Sequence, residues 1–206
     1  MNIAVFGGSF SPVHLGHIAV ATAAVDAGLA NEVWMMPCRR NPLKDTALMP
    51  DNRRLDLLEK AVEYANRRVE KGIIKVSKAE FSLPTPSYTA DTLRFLQNEY
   101  PKHRFRLITG ADSYNNFHDW KDWEWIERNF APIVYPRPGY EIQEVRPSWT
   151  LLENVALHDV SSTAIRESMA KNEETTDLMP WTLETLDRPH PQPLPAGRGE
   201  EGDLRP

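Results

Sequence analysis

The stretch NIAVFGGSFSPVHLGH, residues 2–17, decides how this chain is read. Its first five residues form a short apolar run closed by Gly7 and Gly8, the pattern of a buried strand ending in a turn. From His14 to Ala27 the sequence HLGHIAVATAAVDA is Ala-rich and free of proline. It stops at Gly28, the pattern of a helix with a glycine just past its end. Glu32–Met36 (EVWMM) is a second strand, stopped by Pro37. This strand–loop–helix–strand opening predicts an α/β fold: a Rossmann-like, doubly wound parallel sheet with helices on both faces.

Outward from this stretch the alternation continues. Leu55, Leu58, Ala61, Val62 and Ala65 recur at helical spacing after Asp51, and Ile73–Val76 reads as a strand. SLPTPSYT (82–89) is a proline-bounded loop before a helix over Asp91–Tyr100. Phe105–Thr109 and Pro132–Tyr135 read as strands, Trp120–Asn129 as a helix, and Asn154–Leu157 as the last strand. Ser161 or Ser162 is a natural cap for a helix running through Ile165 and Met169. The chain thus reads as one domain over residues 1–186. Residues 187–206, rich in Pro and Gly and poor in large apolar side chains, read as a disordered tail.

Composition narrows the function. Lys and Arg number 24 against 29 Asp and Glu, a net charge of −5, which argues against a nucleic-acid binder needing a basic excess. One cysteine, Cys38, excludes a disulfide framework or a cysteine-rich metal site. The opening residues lack the basic and apolar regions of a secretory leader, and no run of about 18 apolar residues offers a membrane span. The expectation is a cytoplasmic protein with neither nucleic-acid nor membrane partners. Oligomeric state is written in no pattern, and a homo-oligomer stays open.

The chemistry concentrates in GGSFSPVHLGH, residues 7–17, where the first strand meets the first helix. Doubly wound folds bind ligands in that crevice. Gly7, Gly8, Ser9 and Phe10 form the turn, where glycines let backbone amides approach a ligand. His14 and His17, three apart on a helix, share one face. Gly16 between them leaves a phosphate free access to the helix N-terminus, where the dipole favours anions. A second element, SSTAIR (161–166), opens a helix with Ser161, Ser162 and Thr163, and Arg166 lies one turn in. Hydroxyls, free amides and a guanidinium together can hold a polyphosphate.

HxGH after a GG-S-F turn, with SSTxIR near the C-terminus, resembles the HIGH-type nucleotidyltransferase superfamily. Adding SYTADTL (87–93), ITGADS with WKDW (108–123) and the closing LMPWTLETL, the chain is similar to bacterial nicotinate-nucleotide adenylyltransferases from Asn2 to about Leu186. Ser11 departs from the Asp usual in that family. The resemblance implies an enzyme transferring AMP from ATP to nicotinate mononucleotide, giving deamido-NAD and pyrophosphate. His14, His17, Lys44 of CRRNPLK, and Arg166 would serve the phosphates. Mg²⁺ would be held mainly by ATP oxygens, with no metal ligands from the protein.

By the same resemblance Trp120 would stack on the nicotinate ring, with Tyr88 and Thr89 at its carboxylate and Arg54 on the acceptor. Asp112 would contact the nucleotide. Each has a plain alternative: Trp120 as core, Thr89 and Asp112 as helix caps, Arg54 as a solvated charge. Alternatives also stay open for the whole chain: the same chemistry on nicotinamide mononucleotide or phosphopantetheine, or a non-catalytic nucleotide-binding protein.

Overall fold

A computed structural model describes residues 1–39, 49–69, 71–86, 88–153, 155–156, 158 and 160–185. Six strands, β1 (Asn2–Gly8), β2 (Glu32–Pro37), β3 (Ile73–Val76), β4 (Arg104–Gly110), β5 (Ile133–Tyr135) and β6 (Thr150–Leu151), form one sheet. Their spatial order is β3-β2-β1-β4-β5-β6, and every neighbouring pair is parallel. The α/β expectation therefore holds, and the strand order reverses between β1 and β4.

Six α-helices connect and cover the sheet: α1 (Leu15–Asp26), α2 (Asp51–Asn66), α3 (Thr89–Glu99), α4 (Ala111–Asn115), α5 (Trp123–Phe130) and α6 (Ser162–Ala170). Alternation along the strands divides the core. Ala4, Phe6, Val33 and Met35 pack with α1, α2 and Ile165 of α6. Ile3, Val5 and Met36 point the other way, onto Leu93 and Leu96 of α3, Phe117, and Ile126 of α5. Both faces of each central strand are thus buried, which is why β1 and β2 read as continuous apolar runs.

The structure corrects several sequence expectations. His14 lies just outside α1, as its cap residue with extended backbone, rather than within the helix. The helix expected over 120–129 begins at Trp123, because Trp120 is extended and Asp122 adopts a left-handed φ of 54°. Trp120 consequently lies outside α5, although the rings of Trp120 and Trp123 both approach Phe117. The last strand is Thr150–Leu151 rather than 154–157. β5 is only three residues long, so pairing closes with Thr150 N–H to the Pro132 carbonyl and Leu152 N–H to the Val134 carbonyl. Residues 154 and 157 lie outside the described residues, as does the 187–206 tail.

Short elements were invisible to periodicity: α4, and 3-10 turns at Ala79–Ser82, Phe117–Asp119 and Pro180–Thr185. The last falls within the closing LMPWTLETL segment. No helix among the described residues is long and apolar enough to cross a membrane.

The C-terminal segment is part of the core. Trp181 is 1% exposed, its ring 5.7 Å from that of Tyr64 on α2. The Leu178 carbonyl accepts the first helical amide of α1, Leu15 N–H, at 3.0 Å. Trp181→Ala is expected to destabilise the protein by about 3–5 kcal/mol, read from urea unfolding at pH 7.

Candidate active site

All strands are parallel, so their C-terminal ends open on one edge of the sheet. The turn after β1 stands at the reversal of strand order. Phe10, at a left-handed φ of 42°, is fully buried. Its ring meets those of Phe6 at 5.7 Å and His17 at 4.9 Å, edge to face. Phe10 therefore supports the site from beneath, packed against the His17 ring.

The two histidines come together even though only one is helical. Their ring centroids lie 3.8 Å apart. His17 Nδ1 accepts the backbone N–H of His14 at 3.3 Å, a capping contact that leaves Nε2 as the donor of a neutral His17 ring. A Cβ on Gly16 would come within 3.1 Å of the His14 ring and 3.5 Å of Val160. The missing side chain thus makes room for the imidazole as well as for a ligand. Two of the first three amides of α1 are engaged, Leu15 with the Leu178 carbonyl and His17 with the His14 carbonyl. The dipole remains, but the helix start offers fewer donors to a phosphate than its sequence suggests.

The second motif is tied directly to the first. Ser161 caps α6, its hydroxyl accepting the Ala164 N–H at 3.1 Å. Ser162 donates to the Pro12 carbonyl at 2.9 Å. Arg166 donates to the Ser11 carbonyl at 2.5 Å and to the Thr163 hydroxyl at 3.1 Å. On the other side of the turn, Arg54 is fully buried and donates to the carbonyls of Ser9 at 2.7 Å and Cys38 at 2.8 Å. It also meets Asp51 at 2.5 Å. Arg54 is thus neither a surface charge nor open to solvent. Ser11, where the family resemblance has Asp, is fully buried and accepts the Met49 N–H at 2.9 Å.

His14, Gly16 and His17 line a cavity of about 260 Å³ with Ser161 and Ala164 of α6. Tyr135, Arg137, Tyr140 and His158 line it too, and sequence reasoning passed over all four. The available signal was YPRPGY (135–140), a Pro-Gly turn directly after a strand end in a fold whose ligands sit at strand ends. Gly7, Gly8, Ser9, Phe10, Ser162, Thr163 and Arg166 are not among the lining residues. Lys44 falls outside the described residues.

Asp112 pairs with Arg137 at 2.7 Å, holding the guanidinium at the cavity. It is not the cap of α4, which is Gly110. A Cβ on Gly110 would stand 2.6 Å from Asp112 Oδ1 and 3.0 Å from Tyr135, so a side chain there would displace the Asp112 carboxylate.

The acceptor candidates lie elsewhere. Trp120 is half-buried against Phe117, with ring centroids 5.4 Å apart. Tyr88, rather than Thr89, caps α3, and Lys121 stands over its ring at 5.0 Å. Neither Trp120, Tyr88, Thr89 nor Arg54 lines the cavity. Trp125 packs on Phe130 and under Arg94, a structural role. Among the described residues no group of three His, Cys, Asp or Glu could hold a metal ion.

Electrostatically the site is primed for anions without carrying many charges. Burial, reinforced by the nearby Arg137 and His158, holds the His14 imidazole down to about 4. Its buried Nδ1 has no hydrogen-bond partner among the described residues. Burial, aided by Asp112 and opposed by Arg137, pushes the Tyr135 phenol up to about 12, so it stays protonated.

Two predictions follow from this geometry. His14 titrates near 6.5 in the unfolded chain and near 4 in the fold, so the unfolded state takes up the proton first. Stability should fall as pH drops through that window, by at most about 3 kcal/mol from this group. His14→Gln should lose that part of the pH dependence in chemical unfolding measured from pH 7 to 4. Arg54→Met strands the Ser9 and Cys38 carbonyls and should cost about 3 kcal/mol in urea unfolding.

The chain is similar to known proteins over most of its length. The family model described as Cytidylyltransferase-like matches residues 5–168. A Bacteroides fragilis protein named probable nicotinate-nucleotide adenylyltransferase is 38% identical over 172 residues, 82% of this chain and 83% of its own. A Porphyromonas gingivalis protein of the same name is 36% identical over 184 residues, 88% of this chain and 89% of its own. The solved structure of Plasmodium falciparum nicotinic acid mononucleotide adenylyltransferase complexed with NaAD shares the fold. Its TM-score is 0.70 at 24% identity, covering 85% of this chain and 87% of that one. With both motifs joined at the sheet's switch point and similarity spanning most of each chain, the protein belongs to the nicotinate-nucleotide adenylyltransferase family, within the cytidylyltransferase-like proteins.

Proposed function

We propose that this protein transfers the adenylyl group of ATP to nicotinate mononucleotide, releasing pyrophosphate and forming deamido-NAD, a step of NAD biosynthesis. The observation that carries the reading is the His14–His17 pair at 3.8 Å, set in one cavity with the N-terminus of α6. The names of the relatives support the choice of acceptor.

A phosphate oxygen of the acceptor attacks the α-phosphorus of ATP, and the bond to the β-phosphate oxygen breaks. With a second pKa of about 6 the acceptor phosphate is largely ionised at neutral pH, so no general base is required. The protein's work is to bring two polyanions into line and to stabilise charge on the departing pyrophosphate. Neutral imidazoles suit this, since each can donate a hydrogen bond from Nε2. Arg137 supplies a cation at the cavity, and Lys44 is expected to supply another. Arg166, Ser162 and Arg54 act by holding the turn that carries the imidazoles.

The donor set of imidazoles, hydroxyls and guanidinium fits phosphates better than a bare cation. Mg²⁺ would accordingly arrive on the ATP oxygens and offset the charge of the leaving group. On the other face of the sheet, Trp120 offers a flat surface to the nicotinate ring, and Tyr88 and Thr89 stand at the start of α3 for its carboxylate.

Pyrophosphate release with MgATP, offering nicotinate and nicotinamide mononucleotide in parallel, tests the reading. Release is expected with both and faster with the nicotinate form. None with either, but release with phosphopantetheine, would reassign the acceptor. His17→Ala should lower kcat by about 10²-fold or more, the loss typical of one donor to a developing anion.

A further inference from the structure

A second cluster of side chains gathers around Arg146, which is not among the residues lining the cavity. Its guanidinium faces three aromatic rings, with centroids at 5.2 Å for Tyr114, 5.9 Å for Phe117 and 6.0 Å for Trp149. Nη1 lies 3.5 Å from Glu127 Oε1 on α5, and Nη2 is 3.2 Å from His118 Nδ1. A guanidinium only donates, so His118 Nδ1 accepts and the neutral ring carries its proton on Nε2. The backbone of Arg146 is tied down as well. Its N–H donates to the Tyr114 hydroxyl at 3.0 Å, and that hydroxyl donates to the Glu144 carbonyl at 2.7 Å.

Phe117 and His118 belong to the 3-10 turn that leads into Trp120. The Trp120 N–H donates to the Phe117 carbonyl at 3.1 Å, and the two rings lie 5.4 Å apart. Beyond Trp120 the chain gives less support, because Trp120 itself is extended and Asp122 turns left-handed before α5 begins. The Trp120 ring therefore takes its place from the turn before it. Phe117 fixes that turn from the core, where it is fully buried, whereas His118 is exposed and is held by Arg146. We propose that Arg146 is a positioning residue for Trp120. By gripping His118 and flanking Phe117, it fixes the ring on which the acceptor's heterocycle would stack. It does so from a segment beyond β5, 28 positions from His118.

This inference rests on the adenylyl-transfer reading for its acceptor, and its test observes Trp120 both with and without turnover so that the two can fail separately. In protein labelled with 5-fluorotryptophan, the Trp120 fluorine resonance is assigned by its absence in Trp120→Phe. It is then compared in wild type, Arg146→Met, His118→Phe and His118→Asn, whose amide oxygen can replace the accepting nitrogen. The resonance should shift or broaden in Arg146→Met and His118→Phe and stay close to wild type in His118→Asn. In pyrophosphate release, Arg146→Met and His118→Phe should raise KM for nicotinate mononucleotide about three- to tenfold, the range of one aromatic stack. Their kcat and KM for MgATP should stay within about twofold, and the double variant should be no worse than either single one. An unchanged Trp120 resonance or acceptor KM in both variants overturns the proposal. Parallel losses for both substrates, or a His118→Asn variant as impaired as His118→Phe, overturn it too. A resonance that moves in a protein releasing no pyrophosphate with either mononucleotide would leave the brace standing and remove the transferase reading.

Discussion

One guanidinium organises the site. Arg54 has no exposed surface, and a buried cation is tolerated only when it is paired and hydrogen-bonded; both of its terminal nitrogens are engaged, while Nε has no partner among the described residues. Its partners are the Ser9 carbonyl of the turn after β1, the Cys38 carbonyl after β2, and Asp51 at the start of α2. Three elements meet on one planar donor. Arg166 holds the same turn from the other side through the Ser11 carbonyl, with Ser162 on Pro12 beside it. The loop bearing His14 is therefore clasped between two arginines drawn from helices far apart in sequence.

That clasp explains a division of labour among residues of similar chemistry. Arg54, Arg166 and Ser162 look like ligand-binding groups on paper, yet each donates to backbone of the turn after β1, whose glycines lie in the strand itself. Arg137, by contrast, comes from a turn beyond β5 and stands at the cavity, steadied by Asp112. What decides is distance and burial. A guanidinium enclosed by carbonyls must satisfy them, whereas one paired with a partly exposed carboxylate can turn toward an arriving anion.

The imidazole pair follows a related logic. With rings 3.8 Å apart and Arg137 and His158 nearby, a charge on His14 would be buried among like charges, and the ring stays neutral.

How much was legible in the sequence varied with how local the cause is. The parallel α/β architecture, both motifs, and most element positions were readable, because glycines after apolar runs and Ala-rich helical spacing act within a few residues. Trp120 resisted, since the left-handed break at Asp122 separates it from the helix that the apolar pattern implied. The last strand was displaced for a similar reason: its pairing depends on where the three residues of β5 stop. The sequence by itself determined that two histidines would gather where β1 meets α1, since that rests on short-range turn and cap chemistry. Only the tertiary structure decided which arginines hold the turn and which lines the cavity, and that a Pro-Gly turn would carry Tyr140 to the same cavity. Those roles are set by burial and by contacts between residues as far as 155 positions apart, to which local pattern is blind.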